Sequence, residues 1–368
     1  MEGIDWNLYN STALTTQVNR VPNTFGLINA LGYFTHESIG STVVEIREES
    51  DGIAVLAAEE RGGPAQQMDG EEGATRFVKV PHFPVEDAVT PRDVQDRLAV
   101  LGRERVAESV DGAVAKKLLR LASAHYLTQE YTLTGAIKGR IYDGKGRLLL
   151  DLHQYFDRPQ RTIYWDLDNP DTDPWEKAEE VYDAVGDEKN GISFMGVDQI
   201  ASPAFVQKLI KHPKFEQWYL NYSSGVGLAR EMERETRGGN WGRIIPIGQL
   251  RLIEYKGKVK LKGAGVVPFV ELGKGHALPT GVSEPIFECS HAPADVLEQV
   301  NIPPALLDAA ASLPEGSPLA AGILAMYASA KIRDHNKGLD LWSESNNIAI
   351  CKRPELLVES DMGANPNP

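Results

Sequence analysis

The chain has 368 residues, of which 42% are hydrophobic and 24% charged, and carries a formal net charge of -14. That length fits two domains, or one domain with large extensions, and the balance is that of a folded chain rather than a disordered or membrane one. The charge excludes a protein that grips phosphate backbones over its whole surface, but not a wall that merely encloses nucleic acid. The longest apolar runs, Leu148 to Leu152 and Ala320 to Ala328, fall far short of the roughly 18 residues that cross a bilayer. Met1 to Asn10 has no signal-peptide pattern, so the protein is expected in the cytoplasm of its producing cell, with no membrane partner.

The first forty residues mix Asn, Thr and Pro with scattered apolar residues and read as an extended arm. Thr42 to Ala57 is strand-like, punctuated by Asp51-Gly52. A second strand-like run, Arg76 to Phe83, follows the Gly-rich stretch Arg61 to Gly73. The pair suggests a long hairpin with an acidic tip.

Val106, Val110, Val114, Leu118, Leu121 and His125 then recur at three- and four-residue spacing, which predicts a helix over about Arg103 to Leu133. Asp143-Gly144, between the runs Ala136 to Tyr142 and Arg147 to Leu152, is a hairpin signal. A further helix is expected over Pro174 to Val185, with Asp173 as N-cap. Beyond Gly191 short strands and helices alternate: Ile192 to Val197, Pro203 to Trp218, Leu250 to Tyr255, Val259 to Leu261 and Pro318 to Ala330. Strand candidates at Gly338 to Ser343 and Asn347 to Cys351 precede a polar tail.

Motifs that could carry chemistry are weak. Gly139 to Lys145 has the glycine and lysine spacing of a phosphate loop, but Gly146 stands where Ser or Thr should hold magnesium, and the flanks read as strands. Asn169, Asp171, Asp173 and Glu180 fall at calcium-loop positions, yet Pro174 occupies the glycine position, and helix capping explains the same acids. Cys289 and Cys351 show neither CxxC nor Cys/His spacing, and the eight histidines are scattered. No catalytic, cofactor-binding or metal-ligating set is therefore assigned. Lys256, Lys258, Lys260 and Lys262 alternate along a strand and read as a solvated face.

Ala13 to Ile46, ALTTQVNRVPNTFGLINALGYFTHESIGSTVVEI, resembles the opening of the lambda-type major capsid family of tailed bacteriophages. Further segments resemble that family in order: Glu60-Arg61-Gly62-Gly63-Pro64, Phe77 to His82, Gln129-Glu130-Tyr131, Gly135 to Gly139, Leu278 to Gly281, Ala292 to Asp295 and Asn347 to Pro354.

The resemblance implies an α+β, Hong Kong 97-type capsid fold. It assigns an N-terminal arm (1–41), an extended β-hairpin loop (42–90) and a peripheral domain (91–165) with the spine helix. An axial domain (166–330) and a return to the peripheral domain with a C-terminal tail (331–368) complete it. It implies a shell protein, not an enzyme, forming hexamers and pentamers of an icosahedral shell around packaged double-stranded DNA, bound without sequence specificity. Implied partners are a separate scaffolding protein, a portal and, in some shells, a decoration protein. Assembly would occur in the host cytoplasm. A two-stranded ribbon is marginal in water alone, so the loop should be buried by a neighbouring subunit, with Glu59, Glu60, Arg61 and Arg76 as inter-subunit contacts. The other readings are an encapsulin-like cargo shell and, from another class, a cytoplasmic hydrolase.

Overall fold

The computed structural model describes residues 9–20, 26–47, 75–95, 98–101, 104–107, 110–187, 193–216, 218, 241–263, 265–297 and 325–366. Asn10 accepts a hydrogen bond from the Ala13 backbone at 2.7 Å and caps the first helix, α1 (Ser11–Asn19). Leu14 and Val18 of α1 are buried, and Thr15 and Asn19 bond the backbone of Ala328 and Met326. A short helix, α2 (Leu27–Leu31), and a strand, β1 (Thr35–Ser38), follow. The arm is thus partly helical, where the sequence suggests an extended segment. Both helices are too short to display a period, and packing rather than propensity sets them.

A two-stranded ribbon comes next, β2 (Val43–Arg47) with β3 (Thr75–Lys79), in the register Val44↔Val78 and Ile46↔Arg76. Alternation gives it two faces: Val44, Ile46 and Val78 are buried, whereas Phe77 is 65% exposed. Residues 48–74, which include Glu59, Glu60 and Arg61, lie outside the described residues.

Strand β4 (Phe83–Val89) and helix α3 (Pro91–Gln95) lead to a hairpin of β5 (Leu98–Leu101) and β6 (Glu104–Ala107). This hairpin corrects the expected helix start, because the long helix α4 spans Val110–Ile137. Leu101 pairs with Glu104 at the end of this hairpin. Val106 sits four residues before Val110, so its spacing mimics a helical period it does not share. At the other end α4 continues through Gly135, where an added Cβ would lie 2.9 Å from the Arg140 carbonyl oxygen. The expected strand from Ala136 therefore begins only at β7 (Arg140–Tyr142), which turns into β8 (Leu148–Asp151). Its 28 residues make α4 a rod of roughly 42 Å.

Helix α5 (Leu152–Phe156), strand β9 (Arg161–Tyr164) and helix α6 (Pro174–Asp187) follow. Asp173 accepts from the Trp175 backbone at 3.0 Å, the expected cap of α6. Strand β10 (Gly196–Ala201) and helix α7 (Pro203–Ile210), capped by Ser202, come next. The remaining strands are β11 (Trp241–Ile247), β12 (Leu250–Tyr255), β13 (Lys258–Leu261), β14 (Gly265–Pro268), β15 (Lys274–Thr280), β16 (Phe287–His291), β17 (Tyr327–Ile332), β18 (Leu339–Ser345), β19 (Asn347–Cys351) and β20 (Val358–Asp361).

Among the described residues, three hydrophobic cores organise these elements. One lies under the six-stranded sheet β11-β12-β10-β15-β20-β9, where Trp165, Val181, Val185, Phe205 and Phe215 pack between sheet and helices α6 and α7. A second joins α1, the N-terminal half of α4 and the sheet β17-β18-β4 through Leu14, Val18, Val114, Leu118 and Leu341. The third collects the C-terminal half of α4, the ribbon base and the sheet β1-β16-β19 around Leu133, Ile137, Val78, Ile348 and Ile350. The long helix belongs to two cores at once and so fixes their separation. The six-stranded sheet takes strands from both sides of the expected 166–330 segment, since β9 precedes it and β20 pairs with β15 after it.

Candidate functional site

Besides the buried Val44, Ile46 and Val78, one polar side chain ties the ribbon to its own subunit. The Arg76 guanidinium donates to the Tyr155 carbonyl and lies 5.5 Å from the Tyr155 ring centroid and 5.8 Å from that of Phe156. Arg76 is expected to reach an adjacent subunit; within the chain it fastens the ribbon to α5. Phe77 and Val43, on the opposite face, are left toward solvent.

Where arm, long helix and six-stranded sheet meet stands a fully buried carboxylate, Glu130 of α4. It accepts from the backbone of Ile28 at 2.8 Å and Asn29 at 3.1 Å, and from the Tyr255 hydroxyl at 2.8 Å. The donors at the start of α2 would otherwise be unsatisfied, so one acid of the long helix serves as their cap. Burial pushes the Glu130 carboxyl up to about 7, against the opposing pull of the Ile28 backbone, Tyr255 and the Asn29 and Leu27 backbone. Gly26 makes the approach possible. Its φ is +109°, and a Cβ there would fall 2.1 Å from the Glu130 Oε2.

A second joint ties the arm to the same sheet. Arg251 donates through Nε to the Asp198 Oδ1 at 2.7 Å and through a second nitrogen to Oδ2, and Tyr33 donates to that oxygen as well. This bidentate pair is charge-assisted and geometrically specific. His125 plays a similar part between helix and β18, with its ring nitrogens 2.8 Å from the Ser345 hydroxyl and 2.6 Å from that of Ser343. Burial pushes its pKa down to about 4, so it is a neutral linker.

The weak motifs resolve into structure. Asp143 accepts from the Lys145 and Arg147 backbones, each at 2.8 Å, and closes the β7–β8 turn where a phosphate loop would need a helix. Asn169 accepts from the Asp171 backbone at 3.0 Å, and Glu180 pairs with Lys177. Along β13, Lys258 and Lys260 are exposed while Val259 and Leu261 are buried, the expected solvated face. One association is not legible in the sequence. His36 on β1 meets Cys289 and His291 on β16, with His36 and His291 255 positions apart. The Cys-x-His alternation of β16 is the only local trace of it.

Comparison with known proteins places these features. A model of the family phage major capsid protein E matches residues 10–362. The chain is 28% identical over 368 residues to a protein named major capsid protein of Salmonella phage Felix O1 (isolate Felix O1-VT1), with 94% of each chain covered. It is 29% identical over 360 residues to one of the same name from Pseudomonas phage KPP10, with 96% of this chain and 97% of that one covered. Among solved structures, one described as a capsid protein of an E. coli CFT073 prophage superposes with a TM-score of 0.57 at 13% identity, covering 96% of this chain and 99% of that one.

Proposed function

This chain belongs to the phage major capsid protein E family, a structural capsid protein of the Hong Kong 97-type fold, and from that premise we propose how it builds a shell. Copies associate as hexamers and pentamers of an icosahedral capsid, each ribbon lying on an adjacent subunit. The observation that carries this reading is the two-faced ribbon. One face is seated on its own subunit through Val44, Ile46 and Val78, and the other presents Phe77 to solvent. A repeated heterologous contact of that kind closes into rings and shells.

The enclosed contents are double-stranded DNA, held without sequence-specific binding, and the net charge of -14 supports a wall that does not adhere to what it contains. Scaffolding comes from a separate protein, with a portal and, in some shells, a decoration protein as further partners, and assembly takes place in the host cytoplasm. The peripheral part comprises the long helix with the β17-β18-β4 sheet, and the axial part the six-stranded sheet with α6 and α7.

Negative-stain microscopy of the expressed protein tests the reading. Closed shells, or hexameric and pentameric rings that close when scaffold is supplied, are expected. A monodisperse small oligomer under both conditions would overturn it. Deleting Glu60 to Gly73 should spare the folded subunit and block particle formation.

A further inference from the structure

The sheet β1-β16-β19 carries an arrangement that shell building does not use. His36 pairs in parallel register with Cys289, and His291 lies two residues further along β16, so all three side chains project from one face. The His36 Nδ1 and His291 Nε2 are 2.9 Å apart, and the Cys289 sulfur is 3.7 Å from that Nε2. One donor atom from each residue falls within 4.8 Å of the other two. Cys289 is 0% and His291 3% exposed, while His36, on the edge strand, is half-buried.

We propose that His36, Cys289 and His291 ligate a single zinc-class divalent ion that clamps the arm strand β1 to β16. Two imidazoles and a thiolate are the borderline-soft donors such an ion selects, and they exclude calcium and magnesium, which demand oxygen. Bonds of about 2.0 Å to nitrogen and about 2.3 Å to sulfur separate tetrahedral donors by roughly 3.3–3.7 Å. The distance from the Cys289 sulfur to the His291 nitrogen already meets this, the two ring nitrogens need part by a few tenths of an ångström, and the Cys289 sulfur and the His36 ring, within 4.8 Å of each other, close by up to about 1 Å through rotation of the half-buried imidazole.

The surroundings suit an ion better than a thiol alone. Gln129 of α4 is a neighbour of the Cys289 thiol, and its buried amide nitrogen has no hydrogen-bond partner among the described residues. A thiolate would give that donor an acceptor. Asn347 stands directly opposite His291 on β19, and its buried Oδ1 likewise lacks a partner among the described residues, which makes it an oxygen available near the site. The half-buried His36 leaves a way in from the sheet edge. Binding breaks the Cys289 S–H bond, forms the sulfur–metal bond and releases the proton to solvent.

Metal analysis and cobalt substitution test this on the full-length protein, exchanged into chelator-free buffer after exposure to zinc or cobalt(II) ions. The wild type should retain about one ion per chain and, with cobalt, show a thiolate-to-metal charge-transfer band. Cys289→Ala should abolish the band and, with His36→Gln at the accessible edge, lower retained metal to below about a tenth of an ion. Cys351→Ala, the other buried cysteine, should retain both. Circular dichroism establishes that each variant is folded. If Cys289→Ala does not fold, His36→Gln and the wild-type cobalt spectrum decide. Retention below a tenth of an ion in the wild type would mean the three residues form a hydrogen-bonded cluster only, and undiminished metal in His36→Gln would place the ion elsewhere. Either result overturns the clamp without touching the shell reading.

Discussion

Tyr255 donates its hydroxyl to the Oε1 of Glu130 at 2.8 Å, and that contact joins the long helix to the six-stranded sheet while the same carboxylate holds the start of α2. Tyr255 is fixed from its other side by Phe269, stacked with centroids 5.1 Å apart at an interplanar angle of 11°. Three parts of the chain, distant in sequence, therefore converge on one acid. A buried carboxylate of this kind is expensive unless every oxygen is satisfied, so the joint should respond sharply to small changes.

The first response is to pH. The Glu130 carboxyl sits at about 7 in the folded chain against 4.5 as the ordinary value. A raised carboxyl pKa means that, between those values, the folded subunit binds a proton the unfolded chain has released. Its contribution is fully present below about pH 4.5 and lost as pH rises through 7, on the order of 3 kcal/mol over the window. Chemical denaturation of unassembled subunits at a series of pH values should show this slope in the wild type. Glu130→Gln should flatten it, and parallel slopes for the two proteins would exclude Glu130 as its source.

The second concerns Gly26. Alanine there faces both a φ of +109° and the Glu130 carboxylate at 2.1 Å from the new Cβ. A loss of about 2–4 kcal/mol in subunit stability is expected for Gly26→Ala. Combining it with Glu130→Ala should recover part of that loss, because the truncated acid makes room, and a double-mutant cycle reads the coupling. Strict additivity would mean that backbone strain alone sets the cost.

Phe77 supplies a third. With 65% of it exposed, Phe77→Ser should change subunit stability by less than about 0.5 kcal/mol. If the outer ribbon face seats on a neighbour, the same change should cut the yield of sedimenting particles severely. Unchanged yield would remove Phe77 from the interface.

The order of arm, paired strands and long helix was legible because each leaves a local pattern: alternation for Val44 and Ile46, three- and four-residue spacing for Val114, Leu118 and Leu121. What was not legible is what depends on distant partners. Nothing near Glu130 announces that its acceptors will meet Ile28 and Asn29 some hundred residues earlier. A helix as short as α2 has no period to detect, and it exists because that acid caps it. Likewise the β5–β6 hairpin hid inside a spacing that Val106 shared by accident with the helix behind it. His36 and His291, too, are neighbours only once β1 has entered the sheet beside β16.

The mature shell should carry no isopeptide cross-links. In the cross-linking branch of this fold, a lysine on the extended loop attacks an asparagine of a neighbour with help from a buried glutamate. The amine is the nucleophile, and arginine cannot be deprotonated to replace it. From Glu48 to Val78 the sequence has no lysine, only Arg61 and Arg76. The nearest, Lys79, ends β3 opposite Val43, at the base of the ribbon, where its reach is shortest. Arg76 already donates to the Tyr155 carbonyl. The buried acid of the long helix, Glu130, is occupied by Ile28, Asn29 and Tyr255 rather than turned toward an incoming amine. Denaturing electrophoresis of mature particles should thus give one band near the 40.4 kDa of the chain. A ladder that survives boiling and reductant would show that Lys79, or a lysine further off, does reach an asparagine across the interface, and Lys79→Arg would then tell the two apart.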